Sequence, residues 1–255
     1  MWYGGETQNV PNVPQKGRCE LKVRKHAQKV RMVTNGMKIM IGFPCMDKID
    51  TLFYGSVLGL RRTNDDIHFN IKKGSMIYDA RNEMAVDAIT TKADRVLMID
   101  SDMVFKPDLL QRLNQRMDEG CEMVCGLFFQ RVIPTKPVIY KQLQPPTTDE
   151  MGNKTANIIT YTDYPKDSLF EVEGCGFGAV MMTKELIKDV WDYYEQPPFS
   201  PLEWCGEDMA FCYKVRQMGR KIWCDSSIKV GHLGQVEFGE ETWIAQNAQK
   251  SFKNE

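Results

Sequence analysis

The residues able to do chemistry stand at a few separated places in this chain, and the densest is Val96-Leu97-Met98-Ile99-Asp100-Ser101-Asp102. Four apolar residues between Arg95 and Asp100 are too few for an ordinary helix and read as a fully buried, parallel strand. In open α/β sheets ligands bind outside the carboxyl ends of such strands. If the strand continues through Met103-Val104-Phe105, Asp100 and Asp102 share one face of it. Two charges there are costly unless a cation or hydrogen-bond donors satisfy them. A divalent ion with oxygen ligands is the natural partner and can bring a diphosphate with it. The alternative is a solvated turn that contains two aspartates.

Three further places follow. Gly174-Cys175-Gly176-Phe177-Gly178 puts three glycines in five residues, which lets a backbone approach a ligand closely. A β-bulge or a tight packing contact would use the same glycines. The run opens no helix, so it is not a dinucleotide fingerprint. Glu207 and Asp208 follow Gly206 at a helix start, where the helix dipole favours acids whatever their role. His232 stands alone between Gly231 and Leu233-Gly234, after a late strand.

The elements that must position these residues are legible from periodicity. Lys38 to Phe43 is a first core strand whose ladder Pro44 ends. Leu52, Phe53, Ser56, Val57 and Leu60 repeat at helical spacing, and Ile67 to Ile71 alternates as a strand. Gly74-Ser75 caps a helix with an apolar stripe of Met76, Ile77, Ala80, Met84, Ala88 and Ile89. After the two aspartates, Pro107 and Asp108 open a helix that Gly120 closes, and Glu122 to Phe128 is the next strand. This alternation over residues 38–128 predicts a parallel sheet covered by helices. The proline-bearing stretch 134–168 predicts an antiparallel excursion with a mobile loop over 143–156. Phe170 to Met182 reads as one strand interrupted by the glycines. Thr183 caps a helix, and Ile222-Trp223-Cys224 and Ile228-Lys229-Val230 are two short strands. From Glu240 the chain is a polar helix or disordered.

Composition bounds the class. At 255 residues, 42% hydrophobic and 26% charged, the chain is an ordinary globular protein, and its net charge of −1 excludes a general electrostatic trap for nucleic acid. No run of about 18 apolar residues exists to span a membrane. The start, Met1-Trp2-Tyr3-Gly4-Gly5, lacks the form of a signal peptide. Eight cysteines without a CxxC pair read as reduced thiols of a cytoplasmic protein, several of them buried. Residues 16–31 carry seven basic residues against Glu20. They form a solvated face or disordered tail, or a contact to a polyanion or membrane surface.

The ordered set of an N-terminal β/α half, an Asp-Ser-Asp strand end, a glycine-rich strand, a Gly-Glu-Asp helix start and a late histidine resembles the GT-A fold glycosyltransferases of the family 2-like group. The likeness spans residues 38–235. It implies an α/β fold with a mostly parallel, Rossmann-like central sheet flanked by helices and a smaller antiparallel acceptor-side sheet. It implies an N-terminal arm over 1–37, one catalytic domain over 38–239 with a nucleotide-binding half (38–130) and an acceptor half (131–239), and a tail over 240–255. It also implies a Mn2+ or Mg2+ ion on the diphosphate of a nucleotide-sugar, with a UDP-sugar favoured. Asp102 and His232 then hold the metal. Asp100 joins them at the metal and, with Ser101, serves the nucleotide or ribose. Arg81-Asn82 lies near the nucleotide, Pro44 and Asp47 grip the base, and Gly174, Cys175 and Gly176 form the acceptor-side loop. Of the acidic pair Glu207-Asp208, the second is the catalytic base of inverting members. The chemistry fits these roles: a divalent ion stabilises a diphosphate leaving group, one carboxylate can take the acceptor hydroxyl's proton, and a neutral imidazole suits manganese. The chain departs from the family after its second strand, where Asn70-Ile71-Lys72-Lys73 replaces the usual paired aspartates.

Two other classes compete. A nucleotidyltransferase wants a glycine- and basic-rich loop after the first strand, and Phe43-Pro44-Cys45-Met46-Asp47-Lys48 is not one. A non-catalytic nucleotide-sugar-binding domain has no need of Asp100, Asp102, Asp208 and His232 together. The acceptor stays open: a glycan, a lipid-linked sugar, a protein side chain or a hydroxymethylated DNA base, the last reached through basic residues 16–31.

Overall fold

The computed structural model describes residues 36–251, apart from 62, 75, 153, 235, 236 and 238. The basic stretch 16–31, and the 1–37 arm except residues 36 and 37, lie outside the described residues. The first half runs β1 (Lys38–Cys45), α1 (Thr51–Leu58), β2 (Asp66–Lys73), α2 (Ile77–Thr91), β3 (Arg95–Ile99), β4 (Met103–Phe105), α3 (Leu109–Asp118) and β5 (Met123–Leu127). The second half runs β6 (Ile139–Thr148), β7 (Lys154–Thr160), β8 (Leu169–Val172), β9 (Gly174–Cys175), β10 (Ala179–Thr183), α4 (Lys184–Tyr194), α5 (Glu207–Gln217), β11 (Ile222–His232) and α6 (Glu240–Ser251).

The result is a mixed α/β architecture with a mostly parallel central sheet, ordered β2-β1-β3-β10-β5-β11-β4, with β8 also paired to β11. Strands β1, β2, β3, β5 and β11 run one way; β10, β4 and β8 oppose them. A separate antiparallel sheet has the order β7-β6-β9. The central strands are apolar without alternation because both faces are covered. Their side chains still part by the two-residue period. Met40, Val96, Met98, Cys125, Val180 and Met182 join the layer with residues of α2, α4 and α5. Ile39, Ile41, Leu97, Ile99, Val124 and Met181 join the layer with residues of α1 and α3. Truncating a fully buried residue such as Met98 should cost ~2–5 kcal/mol.

Several expectations are corrected. The Asp-Ser-Asp segment does not continue β3; it turns between β3 and β4, so the two aspartates do not share a strand face. The parallel sheet is broken by β10, which inserts antiparallel between β3 and β5. Phe170 to Met182 is not one strand but parts of three, because the close packing of its glycines lets the chain pass from one sheet to the other. The 143–156 loop is mostly a paired hairpin, with only residues 149–153 between β6 and β7. There Gly152, at φ +84°, donates to the Asp149 carbonyl at 3.0 Å. The two late strands are one, β11, with an irregularity between Asp225 and Lys229. Pro44 does not end β1, which pairs with β2 as far as Cys45; its pairing with β3 has already ended at Gly42. Helix α2 is capped by Met76, without a side-chain cap bond, not by Gly74-Ser75. The segment from Glu240 is helical, and Trp243 packs at 5.8 Å from Phe129 and 6.0 Å from Tyr164.

Candidate active site

The carboxyl end of β3 delivers Asp100 into a tight turn. Met103 N–H donates to the Asp100 carbonyl at 3.2 Å, and Asp100 N–H donates to the Gly178 carbonyl at 3.3 Å. The Asp100 carboxylate meets Arg81 of α2, whose Nη2 lies 2.6 Å from Oδ1. Arg81 Nη1 donates to Glu207 Oε1 at 2.8 Å, which ties the turn to the start of α5. The guanidinium stacks 4.9 Å from the Phe177 ring centre and is only 3% exposed. Phe177 leans edge-on against Phe199, which stacks on Phe211 at 4.6 Å. Asn82 Oδ1 accepts from Phe199 N–H at 2.9 Å, and buried Lys214 donates to the Ser200 carbonyl at 2.9 Å. Arg81 therefore sits on a prebuilt aromatic wall, its charge spent on two acids.

Asp208 stands beside Glu207 in the first turn of α5, after Gly206. Its Oδ1 accepts from Met209 N–H at 2.7 Å. A Cβ at Gly176 would lie 3.5 Å from Asp208 Oδ2, and one at Gly206 would lie 3.6 Å from Oδ1, ordinary contact distances that place both glycines beside the carboxylate. Asp208 is partly buried and keeps some exposed surface. Burial pushes its carboxyl up to about 6; Arg81 opposes this, and the neighbouring Glu207 and Asp100 charges add to it. Burial likewise lifts Asp100, even with Arg81 against it.

Asp102 faces the other way. Strand β11 pairs antiparallel with β4 and brings His232 opposite Met103. His232 Nε2 lies 3.4 Å from Asp102 Oδ2, and Arg131 Nη1 lies 2.8 Å from the same oxygen. Burial raises the Asp102 carboxyl, but His232 and then Arg131 more than offset it and hold it below its ordinary value. The other oxygen, Oδ1, is buried with no hydrogen-bond partner. His232 Nδ1 lies 2.9 Å from the Phe129 carbonyl, so Nδ1 carries a proton. Nε2 is then the ring nitrogen turned toward the Asp102 carboxylate.

Among the described residues no three His, Cys, Asp or Glu side chains converge as a metal-binding group. Asp100, expected at the metal, is turned to Arg81. What fits a divalent ion is the Asp102–His232 pair with its unsatisfied oxygen. Two protein ligands suit an ion that takes the rest of its shell from phosphates and water.

The other expected residues lie as follows. Ser101 is partly exposed in the turn. Pro44 is buried near the end of β1, and Asp47 is exposed, 4.0 Å from Lys73, with no contact to the charged cluster. The glycines of the acceptor-side loop answer first to packing: a Cβ would meet Leu143 at 2.7 Å from Gly174, Val138 at 2.7 Å from Gly176 and Met103 at 2.5 Å from Gly178. Cys175 is buried against Cys212. Sequence reading missed Arg131. Its only signal is its place just past the carboxyl end of β5, on the same sheet edge as Asp100. A cavity of about 590 Å3 lies apart from all of these, between α1, β1 and β2, with Phe43, Phe53, Ile67 and Phe69 in its walls and none of the site acids.

No family model and no curated protein matches the chain. Among solved structures, the crystal structure of A197 from STIV is similar, with a TM-score of 0.53 at 19% identity over 78% of this chain and 86% of that one. At that identity the likeness is one of fold: most of this chain shares its α/β architecture with A197 from STIV.

Proposed function

We propose that this protein is a metal-dependent, inverting glycosyltransferase of the GT-A type, moving a sugar from a nucleotide-diphosphate sugar, a UDP-sugar first, to an acceptor hydroxyl. The observation that carries the reading is Asp208: a carboxylate pushed up to about 6, at the start of α5 beside Glu207 and close enough to Asp100 to feel its charge. A general base works best when its pKa lies near the working pH, and about 6 is closer to neutral than an ordinary aspartate.

In this reading Asp208 takes the acceptor's proton as its oxygen attacks the anomeric carbon. Glu207 does not compete for that proton, because Arg81 holds it. Arg81 also fixes Asp100, so the donor end and the base end of the site move as one unit. Asp102 and His232 would hold the Mn2+ or Mg2+ ion, which neutralises charge on the departing diphosphate. The acceptor is a glycan or a polyanion such as hydroxymethylated DNA. No helix among the described residues is long and apolar enough to cross a membrane.

The test is calorimetry of UDP and a panel of nucleotide-sugars with and without Mn2+, followed by donor hydrolysis. Mn2+-dependent binding that Asp102→Asn abolishes is expected. Binding that ignores both the metal and the substitution overturns the reading.

A further inference from the structure

Arg131 is the residue that the proposed reaction leaves unexplained. It follows β5 on the connection to β6, whose base is fixed where Gln130 N–H donates to the Lys136 carbonyl at 2.9 Å. Beyond that base the tip is open: Val132 is 55% and Ile133 74% exposed. The Arg131 side chain itself is 48% exposed. Among the described residues its polar contacts are a 2.8 Å pair with Asp102 Oδ2 and a long 3.3 Å bond to the Leu233 carbonyl.

This is a poor design for a permanent partner. A guanidinium can grip both oxygens of a carboxylate through its fork. Here it touches one, while Asp102 Oδ1 stays buried and unsatisfied. Arg81 shows the contrast: it is buried, stacked and shared between two acids. Charge gives the same answer. Asp100, Asp102, Glu207 and Asp208 together meet a committed Arg81 and a loosely held Arg131. A diphosphate approaching these acids is repelled unless positive charge comes with it or turns toward it.

We infer that Arg131 is a diphosphate-binding residue held in reserve: it rests on Asp102 in the ligand-free protein, yields that carboxylate to a divalent ion, and passes to the phosphates of the donor. This rests on the glycosyltransferase reading for the identity of the donor, but not for the exchange. Arg131 must then have opposite effects on two ligands: it competes with metal alone and assists diphosphate once metal is bound.

The experiment measures both on the full chain, with Arg131→Gln and Arg131→Lys. Free Mn2+ is titrated by electron paramagnetic resonance. Inorganic pyrophosphate and UDP are titrated by calorimetry at saturating Mn2+. In Arg131→Gln, Mn2+ should bind up to about fivefold tighter, the worth of a released exposed ion pair. Pyrophosphate and UDP should both bind about tenfold weaker, the loss of one charged hydrogen-bonding partner. Arg131→Lys, which keeps the charge, should recover most of the pyrophosphate affinity. Affinities for metal and pyrophosphate that stay unchanged, or that fall together, overturn the proposal. Wild-type protein that binds pyrophosphate with Mn2+ but no nucleotide-sugar sinks the glycosyltransferase reading and leaves the exchange standing. Wild-type protein that binds neither overturns both.

Discussion

Asp100 and Asp102 are separated by one residue and sit in opposite electrostatic regimes. Asp100 belongs to a closed network in which Arg81 bridges it to Glu207 over an aromatic wall. Asp102 belongs to an open one, in which one oxygen is shared by His232 and a half-exposed Arg131 and the other has no partner. The network around Arg81 is paired through both of its Nη atoms, though its Nε is buried without a partner; it holds geometry, and removing one member leaves buried charge behind. An unsaturated network holds capacity, and its natural completion is a ligand. The same short motif thus supplies a strut and a socket, and the turn between β3 and β4 is what lets one segment do both.

The largest expected effect lies at the base that the strut positions. Asp208→Asn keeps the hydrogen bond from Met209 N–H but cannot take a proton, so turnover should fall ~10²–10⁴-fold while donor affinity holds within a few-fold. Near-normal turnover would leave Asp208 a helix-start acid only. In the wild-type enzyme kcat/KM should rise with pH through about 6, as Asp208 loses its proton. The stability consequence has the opposite sign. A carboxyl raised from its ordinary 3.8 to about 6 keeps its proton longer in the folded state than in the unfolded one. Stability is therefore lost as pH rises through that window, by at most ~3 kcal/mol. Asp208→Asn should melt higher than wild type at neutral pH, and an unchanged or lower melting point would mean that burial does not strain this carboxylate.

The next effect breaks the closed network itself. Arg81→Met keeps the bulk over Phe177 and strands the Asp100 and Glu207 carboxylates, at a cost of ~3–5 kcal/mol to folding. Adding Asp100→Asn and Glu207→Gln removes the stranded charges and should restore much of that loss. A single variant that melts like wild type would show that the network holds nothing in place.

How much of this the sequence could give depends on the range of the signal. The β/α alternation of the first half, the caps at Thr183 and Gly206 and the separate antiparallel sheet are local or periodic, and they were legible. The division of Asp100 from Asp102 was not, because a turn and a strand end look alike over three residues, and the partners that decide between them come from α2, α5 and β11. Antiparallel β10 lies between β3 and β5 through long-range pairing, which no local periodicity reports. Three glycines at 174, 176 and 178 look the same in sequence whether they make room for a ligand or for packing; their close neighbours are Leu143, Val138, Phe128 and Met103, so packing accounts for them. Arg131 was invisible because one basic residue past a strand carries no pattern.

The smallest expected effect is the sharpest test of the contrast, since it compares the two aspartates directly. Asp100→Asn removes the charge that Arg81 was built around. Among the described residues it leaves a buried guanidinium with Glu207 as its one remaining ion-pair partner; relief of the buried Asp100 charge offsets part of that loss, and the net should still be a measurable loss of stability at neutral pH. Asp102→Asn removes a charge whose chief gain is a half-exposed pair with Arg131, and such pairs are worth ~0–1 kcal/mol. Its melting temperature should therefore fall only slightly below wild type at neutral pH, even though the same variant is expected to lose Mn2+-dependent nucleotide binding. The acid limb sharpens the point. Asp102 is held below its ordinary value, so its contribution is present at neutral pH and lost only as pH falls through the acid range. The Asp102→Asn variant and wild type should converge in stability there. Chemical denaturation of both variants across pH measures this. Equal losses for Asp100→Asn and Asp102→Asn would mean that the two aspartates share one network, and the division into strut and socket would fall.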